Sequence, residues 1–189
     1  MRVHLTVLGL LGLLLSGCSG EPVPASEDSD ADGFVDAVEA KLGTDPRDNT
    51  SLPAVEKTQA ITFSESVQIV GTGVPTVQCP ADMVNSQTLT WTVAAETGQS
   101  NRTWVSGLTF GISGAMTVND ADLFVTGPSG SQVGSATGTT NQETISVGGK
   151  QPLGDYVIEV RGCSGAGEVT VTASATVHWI PSDAELLAA

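Results

Sequence analysis

From Ala60 onward the hydrophobic positions of the chain recur at every second residue. Ile61 and Phe63, then Val67 and Ile69, alternate with polar neighbours. Leu89, Trp91, Val93 and Ala95 do the same in QTLTWTVAA, and Val169, Val171, Ala173, Ala175, Val177 and Trp179 form the longest such run. Side chains of a strand point alternately to its two faces, so this period predicts half-buried β-strands. RTWVSGLTF, GAMTV, DLFVTG, ETISV and YVIEVR read as further strands, separated by Gly, Pro, Asn and Ser clusters such as GPSG, VGGKQPLG and CSGAG. Parallel neighbours would need crossovers of roughly a dozen residues or more, and no helical period intervenes. The expectation is an all-β fold, one antiparallel β-sandwich over residues 56–180. The tail 181–189, PSDAELLAA, reads as one helical turn started by Ser182 or Asp183, or as a frayed end.

The N-terminal pattern is different. MRVHLTVLGLLGLLLSG, residues 1–17, has a positive charge at Arg2 and an apolar run from Leu5 to Leu15, about half the length of a membrane span. Leu15, Ser16, Gly17 and Cys18 then follow the order leucine, small residue, glycine, cysteine. This resembles the lipobox of bacterial lipoproteins. The resemblance implies a signal peptide cleaved before Cys18, diacylglycerol on the Cys18 thiol and an acyl chain on the new amino terminus. Ser19, in place of the aspartate that retains lipoproteins at the inner membrane of Gram-negative cells, implies the outer membrane, with the leaflet left open. Residues 18–27, continuing SGEPVPASE, have two prolines and no apolar period, so they read as the tether of the lipid anchor. With Cys18 lipidated, Cys79 and Cys163 remain and read as one disulfide of an oxidising compartment.

Residues 28–49 are acidic in a regular way. Counted from Asp28, side-chain oxygens fall at the first, third and fifth positions (Asp28, Asp30, Asp32), glycine at the sixth (Gly33), a backbone carbonyl at the seventh (Phe34), Asp36 at the ninth and Glu39 at the twelfth. Calcium takes six to eight hard oxygens at about 2.3–2.6 Å, which alternate residues of a tightly curled loop supply while glycine permits the turn. A short helix, VDAVEAKL, should follow, with Lys41 near its negative end and Gly43 as its cap. EPVPASE before the loop cannot form the first helix of an EF-hand. The stretch resembles a thrombospondin type 3 repeat of the bacterial kind, whose loop is followed by Gly-Thr-Asp-Pro, here Gly43, Thr44, Asp45 and Pro46, and a later aspartate, here Asp48. The resemblance implies bound Ca2+. This copy stands alone, whereas such repeats usually share ligands in tandem.

DADLFVTGPSG and then NQETISVGGKQPLGDYVIEVRGCSGAGEVTVTA are similar to the bacterial pre-peptidase C-terminal domain. The matching residues are Asp120, Asp122, Leu123, Pro128, Gly130, Pro152, Gly154, Tyr156, Val160 and Gly162. That family implies a non-catalytic, jelly-roll-like module of secreted proteins, sometimes binding carbohydrate or matrix. Asp120 and Asp122 read as turn residues capping a strand start, with a second calcium site as the alternative. Trp91, Trp104 and Trp179 read as filling between the sheets, with a sugar platform as the alternative.

Charge and chemistry narrow the function. Beyond residue 17 there are twenty-one acidic and six basic side chains, a formal charge of −15, and the basic ones are scattered. Nucleic acid is thereby excluded as a partner. The same region holds one histidine, His178, with no serine or cysteine motif beside it and no zinc ligand set, so no enzyme is expected. The expectation is a cell-envelope lipoprotein, non-catalytic, with a calcium-stabilised membrane-proximal joint. Its β-sandwich would bind an envelope protein partner or belong to an envelope complex; the alternative is a carbohydrate-binding or adhesive surface module.

Overall fold

The computed structural model describes residues 26–72, 85–95, 102–115 and 117–189. The chain divides into two compact units, residues 1–53 and 54–189.

The described part of the first unit holds a curled acidic segment and one short helix, α1 (Asp36–Leu42). The helix stops where Gly43 adopts a left-handed conformation (φ 80°) and its N–H returns to the carbonyl of Glu39. Phe34 and Val38 are buried and supply the apolar anchor of this unit.

The second unit is antiparallel β throughout, as the period of two predicts, and ends in a short helix. Its strands are β1 (Lys57–Thr72), β2 (Asn85–Val93), β3 (Thr103–Gly114), β4 (Val118–Thr126), β5 (Gln132–Ala136), β6 (Gln142–Val147) and β7 (Gly154–Trp179). The helix α2 (Asp183–Ala188) is started by Ser182, whose hydroxyl accepts the Glu185 N–H while the Glu185 carboxylate accepts the Ser182 N–H. The tail is therefore the helical turn, not a frayed end.

One strand organises the rest. The first half of β7 is flanked by β2 and β4, with β5 beyond β4; its second half is flanked by β1 and β3, with β6 beyond β3. The two halves form layers that face each other, because Phe110 of β3 meets Trp91 of β2 edge-on at 6.0 Å and Tyr156 of β7 at 5.8 Å. Between the layers lie Leu108, Ile112, Leu123, Val125, Ile158, Val160, Val169 and Val171, all buried. Burial of such side chains is the main favourable term of the fold.

CSGAG does not separate two strands, as its composition suggests, but lies inside β7. Gly165 occupies the bend with φ 82°, and any Cβ there would collide with the carbonyl oxygen of Thr117. The backbone of β4 approaches too closely for a side chain, so glycine serves as a bend within a paired strand.

Candidate functional site

The acidic loop builds a concave cluster of oxygens from its own backbone turns. Asp28 Oδ2 accepts the Gly33 N–H at 3.2 Å, Asp30 Oδ1 the Asp32 N–H at 3.2 Å, and Asp32 Oδ1 the Phe34 N–H at 2.7 Å. Each aspartate thus uses one oxygen to curl the chain, which passes through positive φ at Ala31 (61°) and Gly33 (98°). One carboxylate oxygen from each of Asp28, Asp30 and Asp32 lies within 4.8 Å of the others. Glu39, from the first turn of α1, is fully buried.

Among these residues three oxygens are both shielded from solvent and without a hydrogen-bond partner: Asp30 Oδ2, Asp32 Oδ2 and Glu39 Oε2. Burial pushes the Glu39 carboxyl above its ordinary range, with the charges of Asp32, Asp30 and Asp36 adding to the rise. Burial also raises Asp30. Buried carboxylates crowded in this way are costly unless a cation joins them. The donor set is entirely hard oxygen, the set that suits Ca2+ rather than zinc, so the residues present fit the ion.

Asp36 has a different place. Its Oδ1 accepts the Ser29 N–H at 2.8 Å and its Oδ2 the Ser29 hydroxyl at 2.6 Å, and these bonds hold its carboxyl below the usual range. It closes the loop, and the ninth position of such loops often reaches calcium through water. Phe34 turns its ring into the interior of this unit, and its carbonyl occupies the seventh position. In the Gly-Thr-Asp-Pro ending, Asp45 Oδ1 accepts the Arg47 N–H at 3.1 Å, and Asp48 Oδ1 accepts the Thr50 N–H at 3.0 Å and hydroxyl at 2.6 Å.

Of the other predicted residues, Asp120, Asp122 and Cys163 come together. Asp120 and Asp122 are not at a strand start or turn: both lie within β4 and are fully buried, one oxygen of each within 4.8 Å of the Cys163 sulfur. Cys163 is buried on β7, while Cys18 and Cys79 lie outside the described residues. Pro128 and Gly130 form the β4–β5 turn, and Tyr156 sits in the core with its hydroxyl donating to the Pro152 carbonyl at 2.8 Å. Trp91 fills the core, as expected. Trp104 and Trp179 are only half-buried: register places Trp104 on the outer face opposite His178, and Trp179 is the last residue of β7.

That register also brings together groups that sequence spacing does not. His178 of β7 has Nδ1 at 2.6 Å from Glu56 Oε1 and Nε2 at 2.6 Å from Ser106 Oγ of β3. An ionised carboxylate can only accept, so Nδ1–H donates to Glu56, and in the tautomer whose single proton sits on Nδ1 the Nε2 atom accepts from the serine hydroxyl. Trp104 stacks on the imidazole at 5.3 Å and 8°, and the Lys150 ammonium lies 4.1 Å from the Trp104 ring centre. Ser106 precedes Gly107 in a sequence with no recognisable signature, and its partner His178 is 72 residues away. No local signal marks it.

On the same outer face, Thr62, Ser64, Thr109, Thr144, Thr172 and Ser174, together with Phe63, Phe110, Gly111 and Ala173, line an open trough of about 570 Å³. It presents hydroxyl and apolar groups and no charge.

No family model and no curated protein matches this chain. Among solved structures it is similar to the periplasmic inhibitor of g-type lysozyme PliG from Aeromonas hydrophila, at 15% identity and a TM-score of 0.32 over 61% of this chain and 85% of that one. It is also similar to a Bacillus endospore appendage protein of a disulfide-linked pilus family, at 11% identity and 0.28 over 70% and 97%. A third is the C-terminal CBM6 of LamC, a marine laminarinase from Zobellia galactanivorans, at 10% identity and 0.29 over 64% and 99%. Likenesses this distant carry no functional argument.

Proposed function

We propose that this protein is an envelope lipoprotein whose acidic repeat binds Ca2+ and whose β-sandwich is a binding module. The observation that carries the calcium reading is the trio of shielded, unpartnered oxygens on Asp30, Asp32 and Glu39. Asp28, Asp30, Asp32, the Phe34 carbonyl and Glu39 would hold the ion directly, and Asp36 through water. Bound calcium supplies the positive charge that this carboxylate cluster lacks. The residues themselves do the rest: the Asx turns of Asp30 and Asp32 fix the curl, and Ser29 locks Asp36 across it. A segment that repels itself thereby becomes a compact joint between the tether and the sandwich.

The lipid on Cys18, the outer-membrane location and the bridge between Cys79 and Cys163 belong to the same proposal, on the lipobox and the cysteine count. Closing so long a loop would stabilise the sandwich by on the order of 4 kcal/mol. An envelope protein partner, in a pair or a larger complex, is the leading ligand of the sandwich. The trough favours one second reading, a neutral glycan, because Ser and Thr hydroxyls beside Phe63, with no charge, match the polar and apolar faces of a sugar.

The test is calcium titration of the full-length protein in detergent, followed by the amide resonances of residues 28–48. Saturable shifts confined to that segment support the joint; none up to several millimolar removes it. Cross-linking in envelopes and a glycan array separate the two readings of the sandwich.

A further inference from the structure

We infer that Ser106, His178 and Glu56 form an acyl-transfer site on the outer face of the sandwich, taking carboxylic esters of neutral, hydroxyl-bearing alcohols. The inference goes beyond the calcium joint and does not depend on it.

The geometry is that of an activated nucleophile. Serine is a weak nucleophile until a base takes its proton, and the base must be held in one tautomer by a third group. Both 2.6 Å contacts satisfy those requirements in sequence: carboxylate on Nδ1, hydroxyl on Nε2. Three separate stretches of the chain supply the residues. Glu56 comes from the residue before β1, Ser106 from β3 and His178 from β7. The stacked Trp104 covers one face of the imidazole and limits its rotation. The side chain of His178 is 16% exposed and that of Glu56 48%, so the base is sheltered and the acid meets water.

The backbone at Ser106 is also set apart. The pairing of β3 with β7 slips directly after it, so that Gly107 and Leu108 together oppose one residue, a β-bulge. Gly107 has φ 60° and nothing within 4 Å of where a Cβ would stand. Bulges turn a side chain out of its ladder and recur beside active sites. The open space beside Gly107 gives an acyl group room to approach the hydroxyl.

The substrate class follows from the surroundings. The half-exposed Glu56 is screened by water, and the open site gives weak stabilisation to a developing oxyanion, which favours an ester, with its better leaving group, over an amide. Along β7 the residues Thr172, Ser174, Thr176 and His178 face the same side, so the hydroxyl trough extends away from the imidazole as a surface for an uncharged alcohol portion.

The step balances with water as co-reactant. Ser106 Oγ bonds to the carbonyl carbon while its proton passes to His178 Nε2. The carbon–oxygen bond to the alcohol then breaks, the alcohol leaves with that proton, and an acyl ester remains on Ser106. Water attacks this ester, again giving its proton to Nε2, and the acid and free serine are released. Glu56 acts through His178 and is a positioning residue.

The experiment uses the full-length protein in detergent, a fluorophosphonate probe with peptide mapping, and p-nitrophenyl acetate turnover. The expected result is an adduct on Ser106 and a turnover that falls by on the order of 10²-fold or more in Ser106→Ala and His178→Gln. Glu56→Gln should lower turnover less and displace the pH profile, which a merely structural contact would not do. Absence of an adduct on Ser106 overturns the inference, and that reading needs no variant to fold. Turnover retained in a folded Ser106→Ala also overturns it, since a bare imidazole then accounts for the reaction.

Discussion

Ser29 and Asp36, seven positions apart, close the acidic loop: the Ser29 hydroxyl donates to Asp36 Oδ2 at 2.6 Å and the Ser29 N–H to Oδ1 at 2.8 Å. Neither residue belongs to the cluster of shielded oxygens, yet together they hold the loop in the curl that gathers it. Replacing Ser29 by alanine removes the hydroxyl bond and leaves the N–H bond. Calcium affinity should fall several-fold through loss of preorganisation, measurable by calorimetry. An unchanged affinity would show that the curl does not need this clasp.

Glu39 should give two effects of opposite sign. It is fully buried against Asp30 and Asp32, so Glu39→Gln relieves repulsion in the calcium-free protein and raises its melting temperature. The same change removes a charged ligand and should weaken calcium by at least about an order of magnitude. Melting curves with calcium and with chelator test both; a parallel shift in the two conditions would argue against a metal role.

Two glycines of similar φ separate backbone strain from steric collision. Gly43→Ala meets open space at φ 80° and should cost about 1 kcal/mol. Gly165→Ala, at φ 82°, drives a Cβ into the Thr117 carbonyl and the β4 backbone, and should cost several times that, about 3 kcal/mol or more. Urea titration of both variants, read on the unit each belongs to, checks the ordering.

Tyr156 joins the core to the turn before β7. Its ring meets Phe110 and Trp91, and its hydroxyl donates to the Pro152 carbonyl at 2.8 Å. Tyr156→Phe keeps the ring and leaves that carbonyl without its donor, at a cost of about 1 kcal/mol in chemical denaturation.

The pair Glu159 and Arg161 predicts a pH dependence. Hydrogen bonding to Arg161 holds the Glu159 carboxyl below the usual range, at 2.8 Å and 3.0 Å. A depressed folded-state value stabilises the fold above the ordinary glutamate range, and that contribution disappears as pH falls through the folded value. Both side chains are partly exposed, so the loss is about 1 kcal/mol at most. Glu159→Gln should therefore flatten the acid limb of the stability curve; an identical limb would mean the pair is screened out.

Legibility differed from element to element. Strands with a clear period of two, such as Leu89, Trp91 and Val93, were readable because one face is buried and the other wet. β5 is not legible in the sequence because QVGSA carries a single large apolar residue, Val133, and the strand pairs only with β4. CSGAG read as a break because glycine usually ends a strand; here the bend is paired on both sides, with Gly71 of β1 and Val118 of β4 opposite Gly165. Trp104 read as core because tryptophan usually is, whereas register turned it outward.

The sequence by itself determined the all-β architecture and the spacing of oxygens in the acidic loop. Both are local: strand alternation is written in neighbouring residues, and six of the oxygen-bearing positions of the loop fall within twelve. Tertiary structure alone decided the chain from Ser106 through His178 to Glu56. Those contacts span 72 and 122 residues and exist only because β1 and β3 pair with β7 in one register. A slip of one position would turn each side chain to the opposite face and abolish them.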